Sequence, residues 1–188
     1  PGKIRKANED ALFIDETYKF FAVADGLGGL PGGAEASRRT VELLTQTLAE
    51  VGAPETPIDL SELITRINGI ISDEAFEAHP YTGSGSTLTL AHIVGTHLFV
   101  GHVGDSAAYR LTQGVLHKLT VDHTMAQELV DRDGETAYEN MPSQYPHTLT
   151  RCVGQAQKPI VDTIECTLLS GDRLLLCTDG LNKVIDDD

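Results

Sequence analysis

The chain has 188 residues, 28 acidic against 14 basic, for a formal charge of −14. That length suits one domain with a full hydrophobic core, so no metal or disulfide staple is needed simply to fold. The acid excess argues against nucleic acid and anionic lipid as partners, and 40% hydrophobic with 22% charged residues excludes a disordered chain.

Residues 11–14 and 19–24 are short apolar runs separated by Asp15-Glu16-Thr17-Tyr18, which predicts strand, turn and strand. A glycine-rich stretch, 26–33, follows. Residues 34–51 then carry Val41, Leu44, Leu48 and Val51 at helical steps. Pro54 and Pro57 break the chain before a second helix with Leu60, Ile64, Ile67 and Ile71 on one face.

From Thr87 the period becomes two. Segments 87–94, 97–103, 107–112 and 115–119 read as strands joined by two- or three-residue links, which predicts directly paired antiparallel neighbours. A short helix over 123–131 leads into the polar stretch 132–146, expected as a mobile surface flap. Residues 160–168 and 173–177 are expected as a last hairpin around Ser170-Gly171. Amphipathic helices among antiparallel hairpins predict an α+β layered domain.

No apolar run approaches the ~20 residues of a membrane-spanning helix, and the first residues lack the apolar stretch of a signal peptide. Cys152, Cys166 and Cys177 are odd in number and not spaced as C-x-x-C, so they read as small core residues in a reducing, cytoplasmic compartment.

One pattern occurs three times: an apolar strand ends in an aspartate beside a glycine. The instances are 20–24 into Asp25-Gly26, 99–103 into Gly104-Asp105-Ser106, and 174–178 into Asp179-Gly180. Singly, Asp-Gly is an ordinary turn dipeptide. Three such ends on neighbouring strands bring carboxylates together, and two unit charges ~4 Å apart repel by about 4 kcal/mol at an effective dielectric near 20. A proton or a hard divalent cation must offset that, and an all-oxygen set favours Mg²⁺ or Mn²⁺ over zinc. Ahead of the first strand stands Arg5-Lys6-Ala7-Asn8-Glu9-Asp10, in which the arginine fork suits a phosphate. Cations with a phosphate-holding arginine point to phosphoryl chemistry. The glycine-rich stretch lacks the Gly-Lys-Ser/Thr ending of a Walker A loop, and no G-x-S-x-G is present. His97 and His102, five apart, face opposite sides of a strand and form no ligand pair.

Seven pieces in order resemble the bacterial branch of the metal-dependent Ser/Thr protein phosphatases of type 2C. They are Arg5-x-x-Asn8-Glu9-Asp10, Val23-Ala24-Asp25-Gly26-x-Gly28-Gly29, Gly85-Ser86-Thr87, Val103-Gly104-Asp105-Ser106, Asp122-His123, Leu149-Thr150-Arg151-x-x-Gly154 and Thr178-Asp179-Gly180. The resemblance implies a four-layer αββα sandwich and hydrolysis of phosphoserine and phosphothreonine in proteins by a metal-activated water. It implies two Mn²⁺ or Mg²⁺ ions and a weaker third. Asp25 would bridge the pair, with the Gly26 carbonyl on the second ion and Asp179 on the first. Asp105 and Asp179 would hold the third, Glu9 and Asp10 would position bound waters, and Arg5 would hold the substrate phosphate. A monomer acting on phosphorylated proteins is expected, with 132–146 as the flap over the site.

Three departures accompany the resemblance. The family carries a further metal-binding aspartate well beyond the Asp179 motif, and Asp186–Asp188 is too close to replace it, so 1–188 is expected to be a domain incomplete at its C-terminal end. Leu27 and Leu30 stand where relatives often carry a histidine, and Ala107 where arginine is frequent. The competing functions are a catalytically impaired or regulatory binding domain on the same fold, and a hydrolase of small phosphoesters.

Overall fold

A computed structural model describes residues 8–27, 32–51, 56–78, 80–81 and 83–185. The chain opens with β1 (Asp10–Asp15) and β2 (Phe20–Asp25), paired antiparallel so that Asp10 lies opposite Asp25. Asp15 closes the turn: its Oδ1 accepts the N–H groups of Thr17 and Tyr18 at 2.9 and 3.0 Å, an Asx turn of the kind short carboxylates favour.

Helices α1 (Gly33–Val51) and α2 (Leu60–Ala78) follow. The apolar stripe of α2 is as expected, with Leu60, Ile64, Ile67 and Ile71 buried. That of α1 is rotated from the expected one. Leu43, Leu44 and Leu48 are buried with Thr40 and Thr47, whereas Val51 at the helix end is exposed. Strands β3 (Leu88–Val94), β4 (His97–Val103), β5 (Ala107–Thr112) and β6 (Val115–Lys118) come next, then α3 (Met125–Asp133). Thr124 caps α3, its hydroxyl accepting the Gln127 N–H at 3.2 Å. Segment 132–146 is built from the end of α3 and short 3₁₀ turns, largely exposed. Strands β7 (Asp162–Thr167) and β8 (Arg173–Cys177) lead to the single turn α4 (Asp179–Asn182).

The strands form two antiparallel sheets, one ordered β1-β2-β3-β4-β7 and the other β6-β5-β8. Two expected hairpins are therefore sheet switches. The link Gly104-Asp105-Ser106 does not pair β4 with β5, since β4 pairs β3 and β7 while β5 pairs β6 and β8. Likewise β7 and β8 lie in different sheets instead of forming a hairpin around Ser170-Gly171. A three-residue link reaches across a sandwich as readily as it turns a hairpin, and both edges of β4 are already paired, with β3 and β7.

One core lies between the helices and the five-stranded sheet, centred on Phe20, Leu44, Ile64, Ile67, Leu88 and Leu90. A second lies between the sheets, where Leu98, Val100 and Ala91 meet Ala108, Leu174 and Leu176. The layers are helices, sheet and sheet, in keeping with the expected α+β sandwich. Among the described residues, α4 borders the outer face of the three-stranded sheet, beside Tyr109, Leu116 and Cys177. At the other edge β1 runs past β8, leaving Leu12 and Ile14 exposed over an apolar groove of about 530 Å³.

Candidate metal centre

The strand-end aspartates meet as the repeated pattern predicts. Asp10 opens β1, Asp25 closes β2, Asp105 sits on the sheet switch, and Asp179 begins α4 just beyond β8. Antiparallel register delivers the first two: residues opposite each other at the end of a ladder cannot avoid being neighbours.

Asp25 is held by its backbone. Its N–H donates to Thr87 Oγ1 at 2.9 Å, and its carbonyl accepts the Thr87 N–H at 2.9 Å and the Ser86 hydroxyl at 3.0 Å. Thr87 Oγ1 also hydrogen-bonds Ser106 Oγ at 2.7 Å, tying the Asp25 strand end to the loop that carries Asp105. Gly104 adopts φ +114°, and a Cβ there would meet Thr87 Cβ at 2.6 Å, so only glycine fits this close approach. Gly26 donates its N–H to the Glu9 carbonyl at 3.0 Å, and a Cβ on it would strike the Gly33 carbonyl oxygen at 2.2 Å. The start of α1 thus packs directly on the Asp-Gly turn.

The electrostatics separate two parts of the acidic end. Burial, reinforced by the neighbouring carboxylates of Asp10 and Asp179, pushes Asp25 up to about 8. Like charges crowded into a poorly solvated site favour the protonated carboxyl in this way. Asp105 is also raised, chiefly by burial, but Lys183 pulls it the other way. Lys183 Nζ donates to Asp105 Oδ2 and lies 3.2 Å from Asp179 Oδ2. Burial alone would lower Lys183, and the two aspartates outweigh it, so the ammonium stays charged.

Of the residues expected in the site, Asp10, Asp25, Asp105 and Asp179 converge. Glu9 adjoins them through its backbone carbonyl, which holds Gly26 and the Ser37 hydroxyl. Arg5 lies outside the described residues, as do Gly28, Gly29 and Asp186–Asp188. Among the described residues no three acidic or histidine side chains close on one point as a finished cage. The oxygens instead run as pairs along Asp10–Asp25–Asp179–Asp105. The donor set nevertheless fits a hard divalent cation. It is all oxygen, its central carboxyl is buried between two others, and a dication would do there what a proton does in its absence.

Thr87, Ser86, Ser106, His123 and Lys183 were not singled out as site residues. All but Lys183 lie in the seven motif pieces, but their hydrogen bonds span 19 to 62 residues and have no local signature. His123 accepts the Gly104 N–H on Nδ1 at 3.1 Å, fixing the loop before Asp105. Lys183 had a readable signal, since it stands one helical turn after Asp179.

Comparison with known proteins decides the family: the protein phosphatase 2C model matches residues 5–188. The chain belongs to that family. The serine/threonine phosphatase stp of Listeria monocytogenes is 35% identical, over 98% of this chain and 76% of the relative. Among solved structures, the serine/threonine phosphatase Stp1 from Staphylococcus aureus superposes with a TM-score of 0.84 at 27% identity, covering 99% of this chain and 76% of the other. The catalytic domain of the phosphatase PstP, solved in complex with two manganese ions, gives a TM-score of 0.78 at 29% identity, covering 98% of this chain and 76% of that one. The superpositions extend over nearly the whole chain, so its two-sheet architecture is one these structures share.

Proposed function

We propose that this chain hydrolyses phosphoserine and phosphothreonine in proteins at a centre of two Mn²⁺ or Mg²⁺ ions held by Asp25, the Gly26 carbonyl, Asp10 and Asp179. The observation that carries the reading is the buried Asp25 carboxyl set between those of Asp10 and Asp179, raised to about 8 by burial and by these two neighbours. The manganese ions of PstP support the choice of cation.

When bound, such ions would lower the pKa of a water and offset phosphate charge. The chain's own residues supply position and charge. Ser86 and Thr87 clamp the Asp25 backbone so that its two oxygens face neighbours at fixed spacing. Gly26 lets α1 approach and keeps the turn's carbonyl available. Glu9 and Asp10, adjacent at the start of β1, hold solvent next to the centre. Arg5 binds two oxygens of the substrate phosphate with its planar fork, orienting phosphorus for in-line attack. Leu27 offers no proton, so the departing seryl or threonyl oxygen takes one from water or from another group of the site. Segment 132–146 governs access of the phosphorylated protein. The three free cysteines suit a reducing cytoplasm, in which the chain acts as a monomer. No helix among the described residues is long and apolar enough to cross a membrane.

Turnover of a phosphothreonine peptide at saturating Mn²⁺ tests the reading. Asp25→Asn is expected to lower kcat by about 10²–10⁴-fold, the worth of several kcal/mol of charge stabilisation. Full Mn²⁺-dependent activity in the pure variant would overturn the assignment. Tight Mn²⁺ binding without turnover would favour a regulatory binding domain instead.

A further inference from the structure

Among the described residues, one basic side chain enters the acidic end of the fold. Lys183 follows α4 directly, and its N–H bonds back to the Asp179 carbonyl at 3.2 Å, which aims the side chain across the helix start. There Nζ bridges Asp105 Oδ2 and Asp179 Oδ2. The contact is sheltered: Asp105 is 8% exposed and Lys183 20% at the side chain. The neighbouring Asn182 points Nδ2 at the Asp105 carbonyl at 3.5 Å, while its Oδ1 is buried without a hydrogen-bond partner among the described residues. Two consecutive side chains thus join α4 to the sheet switch.

An ammonium has three donors and no acceptor, so it cannot enter a cation's coordination shell. It also repels a cation placed on the same carboxylates. Lys183 and an ion held by Asp105 and Asp179 are mutually exclusive for that reason. The Asp25 side differs: Asp10 and Asp25 lie opposite each other there, and Lys183 meets Asp179 through its Oδ2, so that carboxylate's other oxygen can still serve the pair.

We infer that Lys183 is a built-in cation occupying the position between Asp105 and Asp179, so that the chain holds its pair of ions on the Asp25 side and admits a third only by displacing the lysine. The inference rests on the two-ion reading above, and extends it by naming what sets the affinity of any further ion. The expected third ion at Asp105 and Asp179 is then in competition with the protein's own side chain.

The test counts bound Mn²⁺ by calorimetry and electron paramagnetic resonance in the native chain, Lys183→Met and Lys183→Arg. Lys183→Met is expected to bind one more ion than the native chain, or to bind the weakest one at least about tenfold more tightly. Lys183→Arg keeps the cation and is expected to match the native chain. Acylation of Lys183, read by mass spectrometry on the native chain, is expected to rise over the Mn²⁺ range in which a weak ion enters. This measurement decides the matter even if Lys183→Met fails to fold. Flat labelling while that ion binds, or Lys183→Met with native stoichiometry and affinities, would overturn the inference. A native chain with no tight Mn²⁺ site would overturn the two-ion reading itself, a separate and recognisable result.

Discussion

Two polar clusters lie close together in the sandwich, and they are built on opposite terms. In one, His102 donates from Nε2 to the Val121 carbonyl at 3.1 Å and accepts on Nδ1 from Thr89 Oγ1 at 2.9 Å. Beside it, at a ring distance of 4.7 Å, His123 accepts the Gly104 N–H and donates from Nε2 to Asp162 at 3.1 Å. Asp162 also takes a bond from Arg151 at 2.8 Å. Every ring nitrogen there has a partner. In the other, the buried Asp25 carboxyl faces the carboxylates of Asp10 and Asp179, which add to burial in raising it. The difference teaches how to tell a polar cluster that supports a fold from one that awaits a ligand. Burial is common to both, and unmet charge belongs to the second alone.

The sharpest way to break that comparison is to titrate stability with and without metal. In the metal-free chain Asp25 binds its proton more readily folded than unfolded, so its contribution is complete below its ordinary 3.8 and is lost as pH rises through about 8. The histidines run the other way. Burial and the neighbouring His123 push His102 down to about 3, so its contribution is present above its ordinary 6.5 and lost as pH falls toward 3. His123 and His92 are lowered in the same sense by burial. Thermal unfolding of the metal-free chain should therefore lose stability on both sides of an intermediate pH. Saturating Mn²⁺ should remove the alkaline loss, raising the midpoint there by about 10 °C, and leave the acid loss in place. An alkaline limb unaffected by Mn²⁺ would erase the distinction between the clusters.

A smaller effect is expected from opening the satisfied cluster. His123→Ala strands the Gly104 N–H, buried beside the acidic end, and should cost about 1–3 kcal/mol in denaturant unfolding. Because Gly104 precedes Asp105, the same variant should weaken binding of the third Mn²⁺ ion, which calorimetry reads independently of stability. Unchanged ion affinity would confine the histidine cluster to holding the fold.

The smallest effect belongs to a pair far from either cluster. Arg39 of α1 bonds Glu74 of α2 through Nε and Nη2, at 2.8 Å for the latter, with both side chains partly exposed. A double-mutant cycle with Arg39→Ala and Glu74→Ala should give a coupling of about 0.2–1 kcal/mol, with phosphatase activity and ion binding unchanged.

Much of this was legible before any coordinates. The alternation in 97–103 and the helical steps through Leu60, Ile64, Ile67 and Ile71 reported their elements correctly, because one buried face imposes a period on the residues that fill it. The Asp-Gly strand ends were legible for a similar reason, as the glycine and the carboxylate sit in one local turn. What escaped were relations with no local trace. Asp25 is clamped by Thr87 from 62 residues away, and His123 holds Gly104 from 19. The rotation of the α1 stripe toward Leu43 was set by the sheet it covers, not by the spacing of its apolar residues.

The opening charge imbalance illustrates the division. Composition by itself established an acidic, foldable chain ill suited to nucleic acid, and its motifs established aspartates at strand ends, because residue type and turn chemistry are local properties. Only the tertiary structure decided which carboxylates would share space and which would meet a cation of the chain's own. The link Gly104-Asp105-Ser106 is equally suited to a hairpin and to a switch between sheets. Packing of β5 against β8 chose the switch, which set Asp105 within reach of Lys183 and left Asp25 to its acidic neighbours.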